Sequence, residues 1–150
     1  PSSAPNAARR SSSVLCITMS GCEWVVDAYG CDAAALADRA ILERLFERLI
    51  AGLGLHPVAP AVWHKFPAPG GITGLCMLAE SHLACHTFPE HGLMCLNLFC
   101  CSPRPEWNFA AGLAEAVGAK RVRVRRLERP YEPDEHVLSE LRRTDQVSLV

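Results

Sequence analysis

Between Val58 and Cys101 the chain is cut by proline and glycine into apolar segments no longer than a strand, and this punctuation constrains the fold most. Val58 to Phe66 leads into a turn through Pro67, Pro69, Gly70 and Gly71, and Ile72 to Glu80, Leu83 to Thr87 and Leu93 to Cys101 follow. Each reads as a β-strand, because Pro and Gly interrupt regular structure while apolar and β-branched residues suit a pleated sheet. Upstream, Leu15 to Met19 and Trp24 to Tyr29 are two more apolar runs, separated by Ser20-Gly21, and read either as two strands or as one strand with a break. Downstream, Arg121 to Leu127 sets Val122 and Val124 against Arg121, Arg123 and Arg125, the alternation of a strand with one face in water. From Pro130 the chain is polar and reads as irregular.

Two helical patterns interrupt the strands. Asp32 stands at an N-cap, and Leu42, Leu45, Phe46 and Leu49 then recur at the spacing of one helical face, with Arg39, Glu43, Arg44, Glu47 and Arg48 opposite and Gly52 or Gly54 at the end. Glu106 to Val117 carries a second apolar stripe of Phe109, Leu113, Ala116 and Val117, with Gly118 at its end. Strands, helix, several strands, helix and strand predict an α+β fold: a two-layer α/β sandwich, mainly antiparallel, with helices packed on one face. Residues 1–13 read as a disordered polar tail and 14–150 as a single domain.

Composition narrows the function classes. A chain of 150 residues that is 49% hydrophobic supports one core, and 15 Lys plus Arg against 16 Asp plus Glu leave no bulk charge for nucleic acid or an anionic membrane. No apolar run approaches the roughly 20 residues that span a bilayer, so no membrane partner is expected and the expected location is cytoplasmic. The eight cysteines include no C-x-x-C pair, the step that structural zinc and thioredoxin-like sites use, and most lie in apolar runs as small hydrophobes. Dinucleotide, P-loop and serine-hydrolase motifs are absent.

Chemistry concentrates instead in one stretch. From Glu80 to Gly92 the chain reads Glu-Ser-His-Leu-Ala-Cys-His-Thr-Phe-Pro-Glu-His-Gly, with three His, two Glu, a Ser and a Cys. The period of two puts His82, Ala84 and His86 on one strand face and Ser81, Leu83, Cys85 and Thr87 on the other, so local spacing does not pair Ser81 with His82. His82 and His86 share a side, yet a third metal ligand would have to come from Glu90, His91 or elsewhere, and no metal is expected.

The string Glu80-Ser81-His82-Leu83, then His86-Thr87-Phe88-Pro89-Glu90-x-Gly92, then Leu98-Phe99-Cys100-Cys101, resembles the prokaryotic pyruvoyl-dependent S-adenosylmethionine decarboxylases. The resemblance extends more weakly from Tyr29 to Val122. It implies self-cleavage between Glu80 and Ser81, giving a beta chain 1–80 and an alpha chain 81–150, with Ser81 converted to a covalently bound pyruvoyl group. That group would form a Schiff base with the amine of S-adenosylmethionine and accept the electrons released with carbon dioxide, yielding an aminopropyl donor for spermidine. His86 would then assist processing, Thr73 would support the processing intermediate where the family usually has Ser, and Cys101 would return a proton to the product carbon. Strand alternation lets only one of Cys100 and Cys101 face the site.

For the substrate, Phe66 and Phe88 match adenine-stacking positions, the second being more often Trp, and Glu90 matches a ribose-binding carboxylate. Relatives commonly carry a His near Cys22-Glu23, so Glu23 is a candidate contact for a more cationic substrate. This keeps a pyruvoyl-dependent arginine or ornithine decarboxylase on the same scaffold as an alternative, and a non-catalytic binding or regulatory paralogue as a second. Family members of this length usually pair, so the resemblance also implies a homodimer with its sites at the subunit boundary.

Overall fold

A computed structural model describes residues 20–131, so the expected tail 1–13 and the strand expected at Leu15–Met19 lie outside the described residues. Among the described residues six strands form one sheet: β1 (Ser20–Tyr29), β2 (Val62–Lys65), β3 (Ile72–Leu78), β4 (Ser81–Phe88), β5 (Leu93–Cys100) and β6 (Arg121–Pro130). Their order is β2-β3-β4-β5-β1-β6, and every pairing is antiparallel. The helices are α1 (Ala33–Leu36), α2 (Arg39–Leu53) and α3 (Phe109–Val117). The α+β class with helices against one sheet face is what the residue pattern predicts.

The single helix expected after Asp32 is two. Asp32 caps α1 by accepting from the Ala34 and Ala35 amides at 2.7 and 3.1 Å, but Asp38 then caps α2 by accepting from Ala40 at 2.8 Å, so the chain restarts there. Gly54, not Gly52, ends α2 in a left-handed conformation. Asn108 caps α3, which moves its start from Glu106 to Phe109.

One sheet face is closed by these helices. Leu42, Leu45 and Leu49 of α2 are fully buried against Trp24, Val26, Leu83, Met94, Leu98 and their neighbours, each such side chain contributing about 1.5–3 kcal/mol. Close approaches are made by glycine: a Cβ at Gly112 would lie 1.9 Å from Trp107, and one at Gly74 2.2 Å from Trp63. Thr87, the buried polar residue of β4, donates to the Leu36 carbonyl at 2.9 Å and accepts from the Ile72 amide at 2.8 Å.

Two strand expectations change. Only Val62–Lys65 of the Val58–Phe66 run forms a strand, and β6 continues to Pro130 along the whole of β1. As an edge strand, β6 leaves both faces largely in water: Val124 and Leu127 are exposed, and only Val122 is half-buried.

Candidate active site

The second sheet face carries the other parity of each strand: Glu23, Val25 and Asp27 from β1, Thr73, Leu75 and Met77 from β3, His82, Ala84, His86 and Phe88 from β4, and Asn97 and Phe99 from β5. These residues are half-buried or exposed. Two clusters form on or beside this face, one at each end of β4.

The first sits at the tight turn between β3 and β4. Leu78 pairs with Ser81, so only Ala79 and Glu80 connect the strands. Ser81 has φ 145°, a conformation that L-residues rarely adopt and that costs on the order of 1–3 kcal/mol. This corrects the expected separation of Ser81 and His82. The unusual backbone swings the serine hydroxyl out of simple alternation, and Oγ lies 3.2 Å from His82 Nδ1. His82 Nε2 is 3.0 Å from Asn97 Oδ1, Asn97 Nδ2 donates to Glu23 Oε1 at 2.9 Å, and Arg129 donates to Glu23 Oε2. A continuous chain of hydrogen bonds thus leads from Ser81 across β5 and β1 to β6.

Glu80 is buried and firmly held. Its carboxylate accepts from the His56 amide at 3.1 Å and from Arg104 Nη2 at 2.8 Å, and also contacts His56 Nδ1. Burial pushes the Glu80 carboxyl up, but the His56 hydrogen bonds and the Arg104 charge outweigh it and hold it below the usual carboxylate range. The Glu80 carbonyl oxygen, on the peptide bond that joins Glu80 to Ser81, accepts from the Cys101 amide at 2.8 Å. That amide can stabilise negative charge developing on the same oxygen.

Alternation separates the adjacent cysteines. Cys100 faces the helices, fully buried, its thiol pushed up to about 11 chiefly by desolvation and next by Cys22, whereas Cys101 is exposed just past the end of β5. Glu23, expected at the substrate, has both oxygens occupied by Asn97 and Arg129. The Asn97 hydrogen bond is the largest influence on its carboxyl, which lies below the usual range, so its charge is compensated rather than offered to a cationic ligand.

The second cluster lies at the far end of β4. Thr73 Oγ1 is 2.6 Å from His86 Nδ1, across the register pair that joins β3 to β4. The His86 ring lies 4.4 Å from the Phe88 ring and 5.5 Å from Phe66, centre to centre, and Phe66 is exposed. Glu90 is exposed in the short 3₁₀ turn Pro89–His91 that follows. Val25, Asp27, Thr73, Ala84, His86 and Asn97 line a shallow depression between the two ends. Trp24, Trp63 and Trp107 lie elsewhere, packed on Phe109, Phe46 and Phe109. Among the described residues no three His, Cys, Asp or Glu side chains come together to hold a metal ion, and no helix is long and apolar enough to cross a membrane.

The structure therefore gathers Ser81, Glu80 and Cys101 at one end and Thr73, His86, Phe66 and Phe88 at the other. The sequence pattern does not single out His56, Asn97, Arg104 or Arg129, and offers His82 only as part of the family string and as a possible metal ligand. A polar Asn inside the apolar run Leu93 to Cys100 was the visible hint, but its partner depends on strand register.

Comparison with known proteins first establishes the class, a decarboxylase. The family model described as S-adenosylmethionine decarboxylase matches residues 22–130. The chain is 38% identical over 112 residues to S-adenosylmethionine decarboxylase proenzyme 2 of Halalkalibacterium halodurans, spanning 73% of this chain and 85% of that one. It is 37% identical over 101 residues to the S-adenosylmethionine decarboxylase proenzyme of Acetivibrio thermocellus, 65% and 78% of the two chains. The crystal structure of the adenosylmethionine decarboxylase from Aquifex aeolicus superimposes with a TM-score of 0.62 at 25% identity, covering 78% of this chain and 96% of that one. The chain belongs to the S-adenosylmethionine decarboxylase family.

Proposed function

We propose that this chain cleaves itself between Glu80 and Ser81, leaves a pyruvoyl group at residue 81, and then decarboxylates S-adenosylmethionine for spermidine synthesis. The observation that carries the reading is the state of that peptide bond. Ser81 is held in a strained conformation, its preceding carbonyl is hydrogen-bonded by the Cys101 amide, and Glu80 is clamped by His56 and Arg104. Strain is released when the bond breaks, and the amide favours the tetrahedral intermediate over the planar peptide. The setting suits a pyruvoyl group, because residue 81 begins a strand beside half-buried polar side chains. Once formed, that group supplies a carbonyl that draws electrons from the substrate.

The remaining roles follow from placement. The exposed Cys101 is the available thiol acid, since Cys100 faces the core. Thr73 orients His86 for the elimination step of processing. Phe66, exposed, and Phe88, half-buried, flank His86 as aromatic rings that suit an adenine, and Glu90, exposed in the turn after Phe88, suits the ribose hydroxyls. With the Glu23 charge compensated, S-adenosylmethionine is favoured over arginine or ornithine. The free thiols among the described residues suit a cytoplasmic location.

A homodimer is part of the proposal, and the spacing along β4 supports it. Ser81 and His86 are five residues apart on one extended strand, about 16 Å at the usual rise, so one chain's His86 is too far to serve its own Ser81. A second copy docked about a two-fold axis on the same sheet face would bring each His86 toward its partner's Ser81. Leu75 and Met77, exposed on that face, would be covered there.

Denaturing mass spectrometry of the purified protein should resolve two chains separated at Ser81, and a single species after long incubation would sink the reading. Labelled S-adenosylmethionine should release carbon dioxide. Release from arginine or ornithine alone would overturn the substrate.

A further inference from the structure

Building on self-cleavage at Ser81, we propose that His82 is the general base that takes the Ser81 hydroxyl proton, and that Asn97, Glu23 and Arg129 are positioning residues that fix its tautomer. The hydrogen bonds leave one consistent assignment. Glu23 is paired with Arg129 and only accepts, so the group of Asn97 that faces it is the NH₂. The Asn97 carbonyl oxygen therefore faces His82 and must receive a proton from Nε2–H. A neutral His82 is left with a bare Nδ1, 3.2 Å from the Ser81 oxygen, to accept the hydroxyl proton.

The step balances without any further reactant. Ser81 Oγ attacks the Glu80 carbonyl carbon as its proton passes to His82 Nδ1, and the carbonyl electron pair moves onto the oxygen held by the Cys101 amide. When that pair returns, the bond between the Glu80 carbon and the Ser81 nitrogen breaks, and the nitrogen takes the proton back from His82. An amide has become an ester of the same mass, with a free amine at residue 81. His86 acts afterwards, at the elimination, so the two histidines divide the processing reaction.

The groups facing His82 are few. Its register partners are Met77 on β3 and Phe99 on β5, neither of them charged, and the Phe99 ring lies 5.9 Å away. Among the described residues the charged groups are Glu23 on β1, reached through Asn97, and Arg129 on β6 behind it. These two compensate each other, so neither leaves an uncompensated charge behind the imidazole.

The test follows loss of freshly synthesised full-length precursor by intact mass, with and without hydroxylamine, which cleaves an ester but spares the peptide. His82→Ala should slow precursor loss roughly 10²-fold or more, gain nothing from hydroxylamine, and recover with added imidazole. His82→Gln keeps a side chain of similar reach against Asn97 and should be as slow, which separates loss of the base from misfolding. His86→Ala should instead accumulate an ester that hydroxylamine splits at Ser81. The wild-type rate should climb with pH and level off, while that of His82→Ala stays flat. A His82 variant that processes at the wild-type rate, keeps the wild-type pH profile, or is slow yet split by hydroxylamine overturns the assignment. A wild-type precursor that stays whole even in hydroxylamine would instead remove the self-cleavage reading beneath it.

Discussion

The two faces of the sheet are built from alternating residues of the same strands, yet they do opposite work. The face toward the helices carries Trp24, Val26, Leu83, Met94 and Leu98, all buried. The other face carries Glu23, Asn97 and His82, half-buried and bonded in a chain, and His86, half-buried and bonded to Thr73. Burying a polar group costs free energy unless it is paired, so groups that must stay reactive are tolerated where water, a substrate or a second copy can still reach them. Stability resides on one face and reactivity on the other, with Ser81 at the hairpin where the strained backbone departs from simple alternation.

This division can be broken or sharpened by experiment. Ser81→Ala removes the nucleophile and should abolish chain cleavage and decarboxylation together on denaturing gels and in carbon dioxide release, while leaving the far-ultraviolet circular dichroism unchanged. Leu83→Ala, on the opposite face of the same strand, should do the reverse, lowering urea-unfolding stability by about 2–5 kcal/mol. If Ser81→Ala also unfolded the protein, the separation of the faces would fail. Thr73→Val keeps the shape but removes the hydroxyl that meets His86, and should slow processing about tenfold in a gel time course.

Acid should act through the carboxylates at the hairpin end. Glu80 and Glu23 titrate below the ordinary carboxylate value when folded, so the unfolded chain binds more protons between that value and the lowered one. Their contribution is present above about pH 4.5 and is lost as pH falls further. In the uncleavable Ser81→Ala protein, thermal scans should show this loss, and Glu80→Gln should flatten part of it. The smallest effect is expected at Val124, which shares the parity of the covered face but sits exposed on the edge strand. Val124→Ser should change unfolding stability by no more than about 0.5 kcal/mol, and a larger loss would show that β6 is covered after all.

Much of the fold was legible because periodicity is local. The stripe Leu42, Leu45, Phe46 and Leu49 found α2, the proline and glycine punctuation found β3 to β5, and the alternation of Arg121 to Leu127 found β6. The break between α1 and α2 was not legible as such, since Asp38 sits amid residues that would equally continue a helix. Of the candidate site, the run from Glu80 to Gly92 was visible as an excess of reactive side chains in a strand. Its division between two ends of β4 was not apparent until strand boundaries placed Thr73 beside His86 and left Ser81 at the turn.

The sequence by itself determined the alternation of faces, the helical stripes and the residue types available for chemistry, because these depend on neighbours two to four positions apart. Tertiary structure decided which strands lie side by side. Only the order β2-β3-β4-β5-β1-β6 brings Asn97, Glu23 and Arg129 into line behind His82. Only the conformation of Ser81 turns its hydroxyl toward the imidazole of its own neighbour, which regular alternation would have pointed to the other side of the sheet.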